Sequence, residues 1–133
     1  MTLLCPCCTG KLYEECCKKL HDGAYPDNAL SLMRSRYSAY ALQLVDYIIH
    51  TTHLKNPNYN QNLLQWSEEI LYFCQNTIFT KLEIYEFVDG EHEAYVTFNA
   101  HLVQNKQPQE LIEKSHFEKV GKQWLYLNSC LLN

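Results

Sequence analysis

The hydrophobic repeat of this chain changes once, near Thr77, and that change limits the folds open to it. Before it, Leu30, Met33, Tyr37, Tyr40, Leu44 and Ile48 recur at steps of three and four, one face of a helix. A break near Leu42–Leu44 could split this run in two. Asn56 to Asn60 reads as a loop. A further helix is expected from Gln61 to Gln75, with Leu63, Leu64, Trp66, Ile70, Leu71 and Phe73 facing a core. After the change, Thr77–Val88 is rich in β-branched and aromatic residues, and Asp89-Gly90 is a hairpin signal. Ala94, Val96, Phe98, Ala100 and Leu102 then alternate with polar positions. Gln107-Pro108 marks a second reversal, Leu111–Val120 a third strand, Gly121-Lys122 a tight turn and Gln123–Cys130 a fourth strand. Helices followed by an antiparallel meander imply an α+β fold with the helices on one face of a single sheet.

The first residues follow neither repeat. Five of the seven cysteines lie within residues 5–17. No stretch reaches the roughly 18 apolar residues of a membrane helix, and the N-terminus lacks a basic, apolar leader. The expected location is therefore cytoplasmic, where clustered cysteines are metal ligands or redox centres rather than disulfides. One residue separates Cys5 from Cys7, and eight separate Cys7 from Cys16. Two ligand pairs joined by a short loop can supply the tetrahedral set that zinc prefers. Gly10 lets the loop reverse. Leu12–Lys19 has helix-forming residues, and adjacent helical side chains diverge. Cys16 and Cys17 can therefore meet at one ion only from the end or a tight turn of that helix. Cys8 is either a competing ligand or an exposed thiol. Cys74 and Cys130, isolated among apolar neighbours, read as buried free thiols.

The spacing Cys5-x-Cys7, eight residues, Cys16-Cys17, with Thr9-Gly10-Lys11 in the turn, resembles the SEC-C zinc knuckle of the SecA translocation ATPase. The resemblance implies one Zn²⁺ held by Cys5, Cys7, Cys16 and Cys17, with Cys8 where glycine is usual. Four thiolates leave no open position, so the implied role is structural. Lys11, Lys18 and Lys19 are expected to offset the negative charge. The remainder looks like the nuclear-transport-factor-like (cystatin-like) cone, a curved antiparallel sheet wrapped around helices. Leu32-Met33-Arg34-Ser35-Arg36-Tyr37-Ser38-Ala39-Tyr40 is similar to a segment of the bacterial YchJ-like proteins. So are Asp46-Tyr47 with Thr51-Thr52-His53, Glu113-Lys114-Ser115-His116-Phe117, and Gly121-Lys122-Gln123-Trp124-Leu125-Tyr126. His116 stands where arginine is common. Many members carry a second C-terminal knuckle, which is not expected here because the sequence ends at Leu131-Leu132-Asn133. The expected organisation is a knuckle over residues 1–22 and a cone over 23–133. His21-Asp22-Gly23-Ala24-Tyr25-Pro26 would link them, and Asp27 or Asn28 would cap the next helix.

The resemblance supplies no reaction. Arg34 and Arg36 are read as structural, paired with a carboxylate such as Glu113 or Asp46 or simply solvated, rather than as anion or partner contacts. Tyr37 and Tyr40 should pack with their hydroxyls at a rim. His50 and His53 share a helical spacing but lack a third ligand. A pocket in the cone would be lined by Phe98, Ala100, Ser115, Phe117, Trp124 and Tyr126. The titratable groups His53, His101, His116, Asp46 and Glu113 show no spacing that selects an acid–base pair. No phosphate loop or catalytic motif occurs, so binding is favoured over catalysis. Net charge is -4, and the lysines near the knuckle are interrupted by Glu14 and Glu15, which disfavours nucleic acid. The leading expectation is a zinc-binding adaptor whose knuckle offers Leu12, Tyr13 and its lysines to a protein partner, with a homodimer through the sheet compatible. The rival is a small-molecule-binding protein or enzyme using the cone, with zinc only structural. A cavity with convergent polar groups favours the rival, and a cone plugged by aromatic rings favours the adaptor. Thiol redox chemistry at Cys8 is a third reading and would require a lowered pKa.

Overall fold

The computed structural model describes residues 3–133. A 3-10 turn at Tyr13–Glu15 leads into α1 (Cys17–His21), α2 (Ala29–Leu42), α3 (Val45–His50) and α4 (Leu63–Gln75). The strands β1 (Ile78–Val88), β2 (Glu93–Gln104), β3 (Gln107–Val120) and β4 (Gln123–Leu131) form one antiparallel sheet in sequence order. The expected architecture is present.

Helix α2 starts where the Asn28 side chain accepts a hydrogen bond from the Ser31 amide at 2.8 Å. It ends where Gln43 turns left-handed, so the helical run splits as anticipated. Ala29, Leu32, Met33, Ser35, Arg36, Tyr37, Ser38 and Ala39 are all buried, which leaves this helix no solvent face over most of its length. Its apolar residues divide between two cores. Ala29, Leu32, Met33 and Tyr37 meet the inner sheet residues Leu82, Val96, Phe98, Ala100, Leu102, Phe117 and Trp124. Ala39 packs instead with Ile48, Trp66, Ile70 and Cys74. Because α4 docks through Trp66, Ile70 and Cys74, at steps of four, Leu63 and Leu64 are left exposed rather than buried, while Phe73, part-exposed, packs edge-on against Tyr40 and Phe79.

The sheet departs from expectation at one reversal. The β2–β3 turn is Asn105-Lys106, both left-handed at φ 51° and 63°, and Gln107-Pro108 already belongs to β3. Paired φ values of this kind suit a two-residue hairpin. Pro108 is tolerated because the pairing of β4 with β3 extends only as far as Glu113, so the missing N–H faces an open edge. At the β1–β2 connection, a Cβ on Gly90 would lie 2.1 Å from the Glu93 carbonyl oxygen, which explains glycine there. Cys74 is buried as expected. Cys130 is exposed, because it pairs with Lys114 on the outer sheet face, opposite the cavity-lining Ser129.

Lysine tolerates the left-handed region poorly, at a cost of about 1 kcal/mol. Lys106→Gly should therefore raise stability by about that amount, read as an increase in the urea midpoint at unchanged slope.

Candidate metal centre

The N-terminal turn is built by backbone pairing. The Cys5 amide donates to the Lys11 carbonyl and the Tyr13 amide to that of Leu3, both at 2.8 Å. Between them the chain reverses at Gly10, with φ at +86°. Cys8 also adopts positive φ, 67°, and its side chain is exposed. The expected helix from Leu12 to Lys19 is interrupted. Cys16, at φ -128° and ψ -113°, breaks it, and Cys17 begins α1. This kink turns two adjacent side chains to the same place, which a continuous helix cannot do.

The sulfurs of Cys5, Cys7, Cys16 and Cys17 all lie within 4.8 Å of one another. Those of Cys7 and Cys16 are 3.6 Å apart. Four sulfurs at 2.3 Å from a central zinc would be separated by about 3.8 Å, so the cluster is of the size a tetrahedral thiolate site requires. Cys8 is not part of it. Its Sγ faces the Pro6 carbonyl oxygen at 3.6 Å.

Hydroxyls, rather than lysines, surround the sulfurs. Buried Ser38 of α2 lies 3.4 Å from the Cys5 sulfur and 3.4 Å from that of Cys17. Thr9 lies 3.3 Å from the sulfur of Cys16 and 3.7 Å from that of Cys7. Lys18 is bound to Asp22 at 2.6 Å, while Lys11 and Lys19 stand exposed. Without an ion, hydrogen bonding from Cys17, then Thr9 and Cys5, brings the Cys7 thiol down to about 4 against the opposing effect of burial. Cys17, holding its proton against the Cys7 sulfur, is raised. Cys16 is raised as well, chiefly by burial, so without an ion the cluster favours negative charge on the Cys7 sulfur alone.

The knuckle is riveted to α2. Arg34 Nη1 donates to the Cys7 carbonyl oxygen at 2.8 Å. His21 belongs to α1 rather than to a linker. Its Nε2 lies 2.8 Å from the Ser35 carbonyl oxygen and must carry the proton, so Nδ1 accepts from the Tyr13 hydroxyl at 2.7 Å. Tyr13 is therefore turned inward, not displayed. Tyr47, whose ring meets His21 edge-on, shares a 2.6 Å hydrogen bond with Ser35 Oγ.

The remaining candidates separate. Arg36 is buried, and its Nη1 reaches the Ile48 carbonyl oxygen at 3.0 Å, Thr51 Oγ1 at 2.7 Å and Thr52 Oγ1 at 3.2 Å. Its guanidinium carbon sits 4.6 Å from the Tyr126 ring centre. Among the described residues neither arginine pairs with Glu113 or Asp46. His50 is exposed, whereas His53 is buried and bound to Glu118 at 3.0 Å, so the two do not meet. His101 contacts Glu83 at 2.5 Å and His116 contacts Glu93 at 2.9 Å, both away from the helices on the outer sheet face. The cone holds a cavity of about 310 Å³. Phe98, Ala100, Ser115, Phe117 and Tyr126 line it as expected, but Trp124 does not. Arg36, Tyr40, Asn58, Glu113 and Ser129 join the lining. Sequence periodicity could have placed Glu113 there, two residues from Ser115 on the same strand face. The Tyr37 hydroxyl is buried instead of reaching a rim.

Comparison with known proteins agrees with this anatomy. The family model described as the YchJ middle NTF2-like domain matches residues 28–129. A UPF0225 protein of Enterobacter sp. (strain 638) is 36% identical over 132 residues, 96% of this chain and 83% of that protein. The solution structure of a SEC-C motif-containing protein from Rhodopseudomonas palustris superposes with a TM-score of 0.84 at 25% identity, covering all of both chains. The crystal structure of a SEC-C motif-containing protein from Psychrobacter arcticus gives 0.79 at 26% identity, over 97% of this chain and 82% of that one.

Two measurements probe the centre. Removing the hydroxyl in Ser38→Ala should weaken metal affinity about 10- to 100-fold, as loss of a ligand-supporting group does, in a chelator competition assay. His21 is lowered chiefly by burial, so its neutral form stabilises the fold. That stability is fully present above the unfolded value of about 6.5 and is lost as pH falls through the folded one. Relative to His21→Gln, the native chain should lose thermal stability below about pH 6.5, checked by melting both from pH 8 to pH 5.

Proposed function

This chain belongs to the YchJ-like family with an NTF2-like middle domain, and on that footing we propose that it is a zinc-stabilised binding protein whose knuckle engages a protein partner. The convergence of four cysteine sulfurs, joined by no further cysteine, histidine or carboxylate among the described residues, carries the metal part of the reading. Cys5, Cys7, Cys16 and Cys17 would hold one Zn²⁺. When bound, the ion supplies cross-linking of two chain segments, not activation of a substrate. Cys5, Cys7 and Cys17 form a buried cluster with almost no other apolar support, so metal binding and local folding are coupled.

The surface available to a partner differs from the one expected of the sequence. Tyr13 is engaged by His21, while Leu3 and Leu4 are 62% and 67% exposed beside Lys11. Two neighbouring exposed leucines next to a cation suit a contact that is apolar at its centre and acidic at its edge. No described helix is long and apolar enough to cross a membrane.

A second reading has its own observation. The cone is not plugged by its rings. Its cavity supports binding of a small molecule, with zinc purely structural.

The purified chain should carry about one zinc per molecule. A chelator should release it and accelerate amide exchange over residues 5–22 and the Ser35–Ser38 segment of α2, leaving the sheet protected. Capture of a specific partner should be lost on chelation and in Leu3→Asp/Leu4→Asp. Full protection of residues 5–22 in metal-free protein would contradict the metal part, and capture indifferent to both treatments the partner part.

A further inference from the structure

We propose that the cone cavity binds a small, mainly apolar molecule whose head is uncharged and both accepts and donates hydrogen bonds, a primary carboxamide being the simplest case. This rests on the small-molecule reading above and names its ligand class. The walls are apolar, from Tyr37, Phe73, Phe79, Phe98, Leu102 and Phe117. Two ionic side chains share the lining with them. Arg36 is only 8% exposed, and its orientation is fixed by the three acceptors on Nη1. No protein acceptor among the described residues takes Nη2 or Nε, which remain as donors. Glu113 enters from β3, half-buried, and its carboxylate has neither a hydrogen-bond nor an ion-pair partner among the described residues. Tyr126 and Ser129, also on the lining, are already bonded to each other at 2.8 Å.

Partly buried ionic groups that lack full pairing are costly, and a ligand that completes them gains selectively. An anion would satisfy Arg36 but face the charge of Glu113. A cation would meet the reverse conflict. A carboxamide offers its carbonyl oxygen to the guanidinium and its N–H to the carboxylate, with no charge to desolvate. The cavity, about 310 Å³, is at the small end of ligand sites, consistent with a single ring and short chain.

The test uses the full zinc-loaded chain and three matched probes: 3-phenylpropanamide, 3-phenylpropanoate and 3-phenylpropan-1-amine. Binding is followed by NMR titration of the Ala100 and Leu102 methyl groups. The amide should bind about tenfold more tightly than either ion, the scale of one hydrogen bond to a charged group. In Glu113→Gln, checked for an unchanged melting temperature, the propanoate should gain about tenfold while the amide, whose N–H then meets only a neutral acceptor, should weaken, so that the propanoate overtakes it. If a charged probe binds best to the native chain, or the ranking is unmoved by Glu113→Gln, the head-group assignment is overturned while the small-molecule reading stands. If no probe shifts those methyls, both fall. The ranking on the native chain decides the matter even if the variant fails to fold.

Discussion

Helix α2 must satisfy three neighbours at once, because eight of its fourteen residues are buried. The sheet takes Leu32, Met33 and Tyr37, the α3–α4 pair takes Ala39, and the cysteine knuckle takes Ser35 and Ser38. A helix packed against three neighbours has to place small or hydrogen-bonded side chains wherever another backbone approaches. Ser35 meets this requirement twice, since its hydroxyl bonds the Leu32 carbonyl and Tyr47 while its own carbonyl receives His21. Ser38 presents an oxygen to two sulfurs. Larger residues at either place would drive the knuckle off the helix.

Arg36 performs the corresponding task on the side facing β4. By binding the Ile48 carbonyl and two threonine hydroxyls it neutralises the C-terminal end of α3 and holds the chain that follows. That chain then adds to the sheet. The Tyr126 amide donates to the Thr51 carbonyl, and the His53 amide to the Tyr126 carbonyl. Helix, loop and sheet are thus joined by one guanidinium lying over Tyr126. The same anchoring turns the rest of Arg36 toward the cavity, so a residue that supports the fold also furnishes the cavity with charge.

The knuckle and the cone are chemically distinct yet mechanically continuous. Zinc in a four-sulfur cage would do no chemistry of its own, but it would fix Cys17 at the start of α1 and so position His21 against Ser35. Loss of the ion would therefore be felt along one face of α2 before it reached the sheet.

Much of this was legible beforehand. The change of repeat near Thr77 determines helices followed by a meander, because periods of 3.6 and 2 cannot be exchanged. The cysteine spacing and its turn residues determine which sulfurs can gather, since a short loop limits their reach. Tertiary structure decided what spacing does not encode. Whether Leu63 and Leu64 face solvent depends on how far α4 overlaps its neighbours. Whether Tyr13 points outward depends on a histidine eight residues away, and the reversal at Asn105-Lys106 depends on which residues accept positive φ in a paired ribbon. Glu113 and Arg36 came to share one cavity only because a strand and a helix distant in sequence close the same cone. Local pattern specifies what each segment can become, whereas the environment of a side chain is set by contacts between segments, and only the assembled chain has those.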